Sequence, residues 1–138
     1  MRAIHLVAAL LPVIAACRGA TDPRPAQVSS PAEVTLRVGQ QVTVDSVLSL
    51  AFLRVPADSR CPSLAMCVWA GDGAVQIAYA LGMGPSRPDT LHTFLDPKLA
   101  LFGGFTITLL ELGPYPDTSI PIPQSQYVAR FRVERLIP

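Results

Sequence analysis

The chain has 138 residues, half of them hydrophobic, and its eleven basic and ten acidic residues leave a net charge of +1. That balance excludes the clustered basic excess which a nucleic-acid partner requires. Fourteen prolines and nine glycines cut the sequence into short apolar runs; beyond the first sixteen residues none carries apolar positions at i, i+3, i+4 and i+7, which excludes a helical domain and predicts an all-β one.

Met1 to Ala16 places Arg2 before an apolar run from Ile4 to Ile14 and ends on the small residues Ala15 and Ala16. This is the pattern of a secretory signal peptide, too short to span a bilayer as a helix of about 20 apolar residues. The tetrapeptide Ile14-Ala15-Ala16-Cys17 resembles the lipobox of bacterial lipoproteins, where cleavage before the cysteine leaves it as an acylated first residue. The resemblance implies lipidation of Cys17, with fatty acids of the palmitate kind, and attachment to the membrane; more than one acyl chain makes such attachment stable. Arg18 follows, and not aspartate, which implies sorting to the outer membrane of a bacterial cell envelope, facing the periplasm or the exterior. The alternative, an ordinary leader, would leave Cys17 as an unpaired thiol in an exported protein.

Residues 17–32 contain Pro23, Pro25 and Pro31 with Gly19, Ser29 and Ser30 and almost no large apolar side chain, and read as a lipidated tether. The remainder, 33–138, is the size of one domain with a single core. Val34, Leu36 and Val38 alternate with polar residues as a half-buried strand, and Val42 and Val44 follow the Gly39 turn as a second. Val47 to Val55 loses the alternation and predicts a strand buried on both faces, stopped by Pro56. After Asp72-Gly73, which has the composition of a turn, Val75, Ile77, Tyr79 and Leu81 alternate again. Gly82 to Asp89 reads as a loop, Thr90 to Leu95 as a short strand, and Asp96-Pro97 to Gly103-Gly104 as a connection. Phe105, Ile107 and Leu109 form the next strand. The prolines of Gly113 to Gln126 keep that segment out of a regular ladder. Tyr127, Ala129, Phe131 and Val133 then alternate with Arg130, Arg132 and Glu134, an edge-type strand with a charged outer face. About seven strands with turn signals between them predict a single antiparallel β-sandwich.

The unusual residues are concentrated between Asp58 and Gly73, which holds two of the three cysteines and the single tryptophan. An exported chain meets an oxidising compartment, so with Cys17 acylated the two remaining thiols, Cys61 and Cys67, are expected to pair. The spacing Cys-x5-Cys is not that of a dithiol redox motif, and with one histidine beyond the leader a metal set from Cys61, Cys67, Asp58 and Asp72 has little to recommend it. Trp69 follows Cys67 by two positions, so in an extended segment both point to one side, and the indole is expected over the bridge in the core; the alternative is that it lines a ligand pocket. Asp58 at the start of a tight loop is expected to accept backbone N–H bonds, and Arg60 to pair with Asp58 or Asp72.

Asp58-Ser59-Arg60-Cys61-Pro62 with Cys67-Val68-Trp69-Ala70-Gly71 resembles a pattern in small bacterial lipoproteins and secreted domains of unknown function, and Pro114-Tyr115-Pro116 and Tyr127-Val128-Ala129 fit it. The resemblance implies a β fold and the Cys61–Cys67 bridge, with no activity, cofactor or ligand.

Catalytic patterns are thin. His92 would have to serve any serine triad, without a Gly-x-Ser-x-Gly elbow, and the spacing of the acids recommends no carboxylate pair. The sequence therefore points to a non-enzymatic binding or structural module of the cell envelope that meets an envelope protein, peptide or small ligand. The alternative is a small-ligand carrier or hydrolase built on Trp69, His92, Tyr115 and Tyr127, with Asp58 and Arg60 beside them as further candidate binding residues. No catalytic residue, cofactor or metal site is assigned.

Overall fold

The computed structural model describes residues 24–136; the leader and Cys17 lie outside them. The described chain is all-β, nine strands in two sheets. The first sheet has the order β1-β3-β4-β5-β6, from Ala26–Val28, Gln41–Val44, Leu48–Asp58, Gly73–Leu81 and Arg87–His92. The second has the order β2-β9-β8-β7, from Ala32–Arg37, Val128–Arg135, Phe105–Gly113 and Leu99–Phe102.

Period-two alternation gives both sheets one dry face. Leu48, Leu50, Phe52, Val75, Ile77 and Leu91 of the first sheet are fully buried in one cluster with Ile107, Ala129, Phe131 and Val133 of the second. Phe52 meets Phe131 edge-on, ring centroids 6.2 Å apart, joining the two sheets at the centre. Each of these side chains other than the Ala129 methyl contributes roughly 1.5–3 kcal/mol by leaving water.

Several expectations need correction. The tether reading fails at Ala26–Val28, which pairs with β3 in parallel, Ala26 opposite Val42 and Val28 opposite Val44, so the first sheet is mixed rather than wholly antiparallel. The connection after Asp96 contains β7, and the strand placed at Thr90 begins at Arg87. β4 is not buried on both faces: Leu48, Leu50 and Phe52 point inward, while Leu53 and Arg54 are exposed where two register shifts interrupt pairing with β5. β9 is no edge. It lies between β2 and β8, and its outer charges face partners across the ladder, Arg132 to Glu33 at 2.7 Å and Arg130 to Glu111 at 3.0 Å.

The topology sorts the loops. The Asp58 end of β4, the Gly73 start of β5, the His92 end of β6, the Gly113 end of β8 and the beginnings of β1, β3 and β9 all lie at one end of the molecule. The turns at 45–46, 82–85 and 103–104 close the other.

Candidate functional site

The segment from Ser59 to Asp72 is held by its two ends. Ser59 N–H donates to the Asp72 carbonyl at 2.7 Å and Cys61 N–H to the Ala70 carbonyl at 2.8 Å, so the chain leaves β4 and returns to β5 through a closed neck. Gly71 makes that neck possible: it has φ +72°, and a Cβ there would fall 1.8 Å from the Ser59 carbonyl oxygen. Beyond the neck, Cys61 and Cys67 form a disulfide with Cα atoms 5.9 Å apart. Closing so short a loop contributes about 2–2.5 kcal/mol in the chain-entropy view.

Below the neck lies a buried polar cluster built on Arg60. Its Nε and Nη2 donate to the two carboxylate oxygens of Asp58 at 2.8 and 2.6 Å, Nη1 donates to the Leu112 carbonyl at 2.5 Å, and Nη2 donates also to the Pro114 carbonyl at 2.9 Å. The guanidinium lies 5.2 Å from the centre of the Tyr115 ring. Tyr127 donates its hydroxyl to Asp58 at 2.9 Å. Burial pushes the Asp58 carboxyl up, but the hydrogen bonds from Arg60 and Tyr127 and the charge of Arg60 outweigh it, and its pKa ends below the ordinary value. Burial and the neighbouring carboxylate push the Tyr127 phenol up to about 12. Arg60 is thus a clasp between β4 and the segment after β8, with its charge answered inside the protein.

A second clasp involves Asp72, placed in a turn by composition but buried here. It receives His92 Nδ1 at 2.6 Å, the N–H groups of Phe94 and Leu95 at 2.9 and 3.2 Å, and the Thr93 hydroxyl at 3.4 Å. Burial again acts upward and is outweighed, so the Asp72 pKa is lowered. His92 is oriented by the carboxylate, with its ring partly exposed.

Trp69 is not in the core. It is 51% exposed, and its indole packs edge-on against Phe94 with ring centroids 6.2 Å apart. The disulfide it was expected to cover closes a loop outside the two sheets, and the interior position at this end is occupied by Arg60, Leu112 and Tyr127. Leu64, Met66 and Val68 of the same loop stand almost free, with 82% exposure or more, and Tyr115 and Ile120 are exposed nearby. Ser63 N–H donates to the Pro116 carbonyl at 2.9 Å, which fixes the loop against the proline-rich segment.

Two shallow cavities flank Arg60. One of about 260 Å³ lies between Gly71, Phe94, Leu112 and Tyr115, and one of about 270 Å³ between Val55, Asp58, Pro62, Ile120 and Tyr127. Neither is lined by Trp69 or His92. The structure thus brings Asp58, Arg60, Tyr115 and Tyr127 together and leaves Trp69 and His92 outside both cavities. Gln124 went unremarked in the sequence: its amide accepts from Val55 N–H at 2.9 Å and donates to the Val55 carbonyl at 2.7 Å, completing the backbone where β4 loses register. Among the described residues no three of His, Cys, Asp and Glu come together as a metal set.

Compared with known proteins, the chain matches no protein-family model, no curated protein and no solved structure.

Proposed function

We propose that the protein is an extracytoplasmic lipoprotein, a β-sandwich anchored through Cys17, that works by binding at the end carrying the disulfide-closed loop. The observation that carries this reading is the collection of exposed apolar side chains there: Leu64, Met66, Val68, Trp69, Phe94, Tyr115 and Ile120. Scattered single apolar residues are ordinary on a protein surface, but several gathered at one end, on a loop closed by a disulfide, support a contact surface. The polar groups beneath are committed to one another, which makes them a support for the loop.

A photo-crosslinking residue in place of Met66 tests this. Irradiation of cells should trap a membrane or envelope component from Met66, and should trap none from Met83, which is equally exposed at the opposite end. Equal trapping from both positions would refute it. The anchor is tested by Cys17→Ser, which should move the protein from the membrane to the soluble extracytoplasmic fraction.

A hydrolase is the second reading, and the Asp72–His92 pair favours it, because a buried carboxylate orients an imidazole as a base requires. An ester- or peptide-cleaving activity lost in His92→Gln, with the unfolding midpoint unchanged, would replace the binding reading with this one.

A further inference from the structure

The contact surface has a definite relation to the point where the chain begins its fold. β1 runs parallel to β3, and β3 runs against β4, so the backbone preceding Ala26 leaves the first sheet toward the same end as Asp58 and the disulfide loop. Arg24 and Ala26 border the Gly39–Gln40 turn, and Gly39 N–H bonds the Phe52 carbonyl at 2.8 Å, which puts Arg24 near the level of Phe52. From Phe52 to Asp58 is six residues of strand, roughly 20 Å at 3.3 Å per residue. Cys17 precedes Arg24 by seven residues, and covalent geometry lets it reach at most about 25 Å from there. An anchor at Cys17 can therefore reach the level of Asp58, at the end of the domain from which the loop projects.

The loop is also unusual in charge. From Cys61 to Gly71 there is no acidic or basic residue. The charges that flank it in sequence, Arg60, Asp58 and Asp72, are paired behind it, and Lys98 stands 6.0 Å from the centre of the Phe94 ring on which Trp69 packs. At the tip stand Leu64, Met66 and Val68, with Trp69 at their base, and the disulfide holds them in one conformation. Moving this surface out of water removes apolar area and strips no ion of its hydration. An indole at the base of an apolar wedge suits the headgroup boundary of a bilayer, where tryptophan's apolar body and polar N–H are both accommodated.

We infer that the Cys61–Cys67 loop is a second membrane contact, seated in the interfacial layer of the bilayer that holds the Cys17 anchor. This rests on the anchor proposed above. One acyl-bearing residue fixes a point and leaves the domain free to swing; an apolar loop at the same end adds a second point and fixes the orientation, with the turns at 45–46 and 103–104 facing away. Because the loop is uncharged, the contact responds to apolar area and not to anionic lipid.

The single tryptophan makes the test direct. The full-length protein purified from membranes is mixed with vesicles of phosphatidylethanolamine and phosphatidylglycerol, with plain or brominated acyl chains, and Trp69 emission is followed. The expected result is a blue shift, at least twofold quenching by the brominated lipid, and a severalfold drop in iodide quenching. The Met66→Asp, Val68→Asp double variant should lose the lipid quenching and keep the wild-type unfolding midpoint. Emission identical in plain and brominated vesicles would overturn the inference, as would a double variant quenched like wild type or protection of Trp69 by envelope proteins but not by lipid. The mass of the N-terminal peptide reports the anchor separately: unmodified Cys17 with quenched Trp69 removes the anchor and keeps the contact, and acylated Cys17 with unquenched Trp69 does the reverse.

Discussion

Tyr127 and Asp58 stand 69 residues apart in the chain, and the phenol of the first donates to the carboxylate of the second across 2.9 Å. The bond crosses from the segment leading into β9 to the end of β4, so it joins the two sheets at the end where the loops gather. Arg60 closes the same carboxylate from the other side and carries the connection on to the carbonyls of Leu112 and Pro114. Three side chains and two backbone groups thus form one fully paired polar unit in an apolar setting.

Breaking that unit is expected to cost more than its parts suggest. Arg60→Met leaves the Asp58 carboxylate buried without its cation and two carbonyls without a donor, and a loss of about 3–5 kcal/mol is expected in urea unfolding. Asp58→Ala combined with Arg60→Met should lose less than the two single variants added together, since the double variant leaves no orphaned charge. Strict additivity would show that the pair does not act as a unit.

Acid should weaken the protein through the same end. The pKa values of Asp58 and Asp72 are both lowered in the folded state, so near pH 4 the unfolded chain binds more protons than the folded one. Their contribution is complete above the ordinary carboxylate range, about 4, and fades as pH falls through the lower folded values. The urea midpoint should stay level from pH 7 to about 5 and decline below about 4. Asp72→Asn starts from a lower midpoint and should decline less steeply; parallel curves would mean that Asp72 is not part of the acid response.

Gly71→Ala offers a test confined to the backbone. The added Cβ collides with the Ser59 carbonyl and meets a positive φ, so the neck has to open. Gly82→Ala also meets a positive φ but has open space around it, and should cost about 1–2 kcal/mol. The Gly71 variant is expected to lose at least twice as much and to raise amide exchange at Ser59 and Cys61. Equal losses in the two variants would mean that the neck is not tightly closed.

For Trp69 the structure reverses the expected result. Half-exposed and packed on Phe94, it contributes an aromatic pair of about 0.5–1.5 kcal/mol and fills no cavity. Trp69→Ala should therefore lower stability by less than the roughly 3–5 kcal/mol of a fully buried aromatic, and emission of the native protein in plain buffer should be red-shifted and readily quenched by iodide. A loss above about 3 kcal/mol would restore the buried reading.

Alternation was the legible part of this fold. The inward residues of β2, β5, β8 and β9 follow from period two, and the Cys61–Cys67 pair from compartment and count. β1 escaped because a three-residue strand among prolines has too few side chains to show a period, and its pairing is set by β3. The edge reading of β9 failed because a charged outer face suits an edge or a centre equally; Glu33 and Glu111 on neighbouring strands decide it. At the candidate site, Asp58 and Arg60 announced themselves by proximity and Tyr127 as an aromatic, whereas the Leu112 and Pro114 carbonyls and Gln124 carry no local signal. Trp69 misled because its expected burial assumed that the disulfide was inside.

The parallel pairing of β1 with β3 has a mechanical consequence. A pull on the residues before Ala26 acts along the axis of β1, so the bonds joining it to β3 share the load in shear and do not open one after another as in unzipping. β1 passes through only three residues into β2 of the opposite sheet. Tension at the amino end is therefore passed on to both sheets.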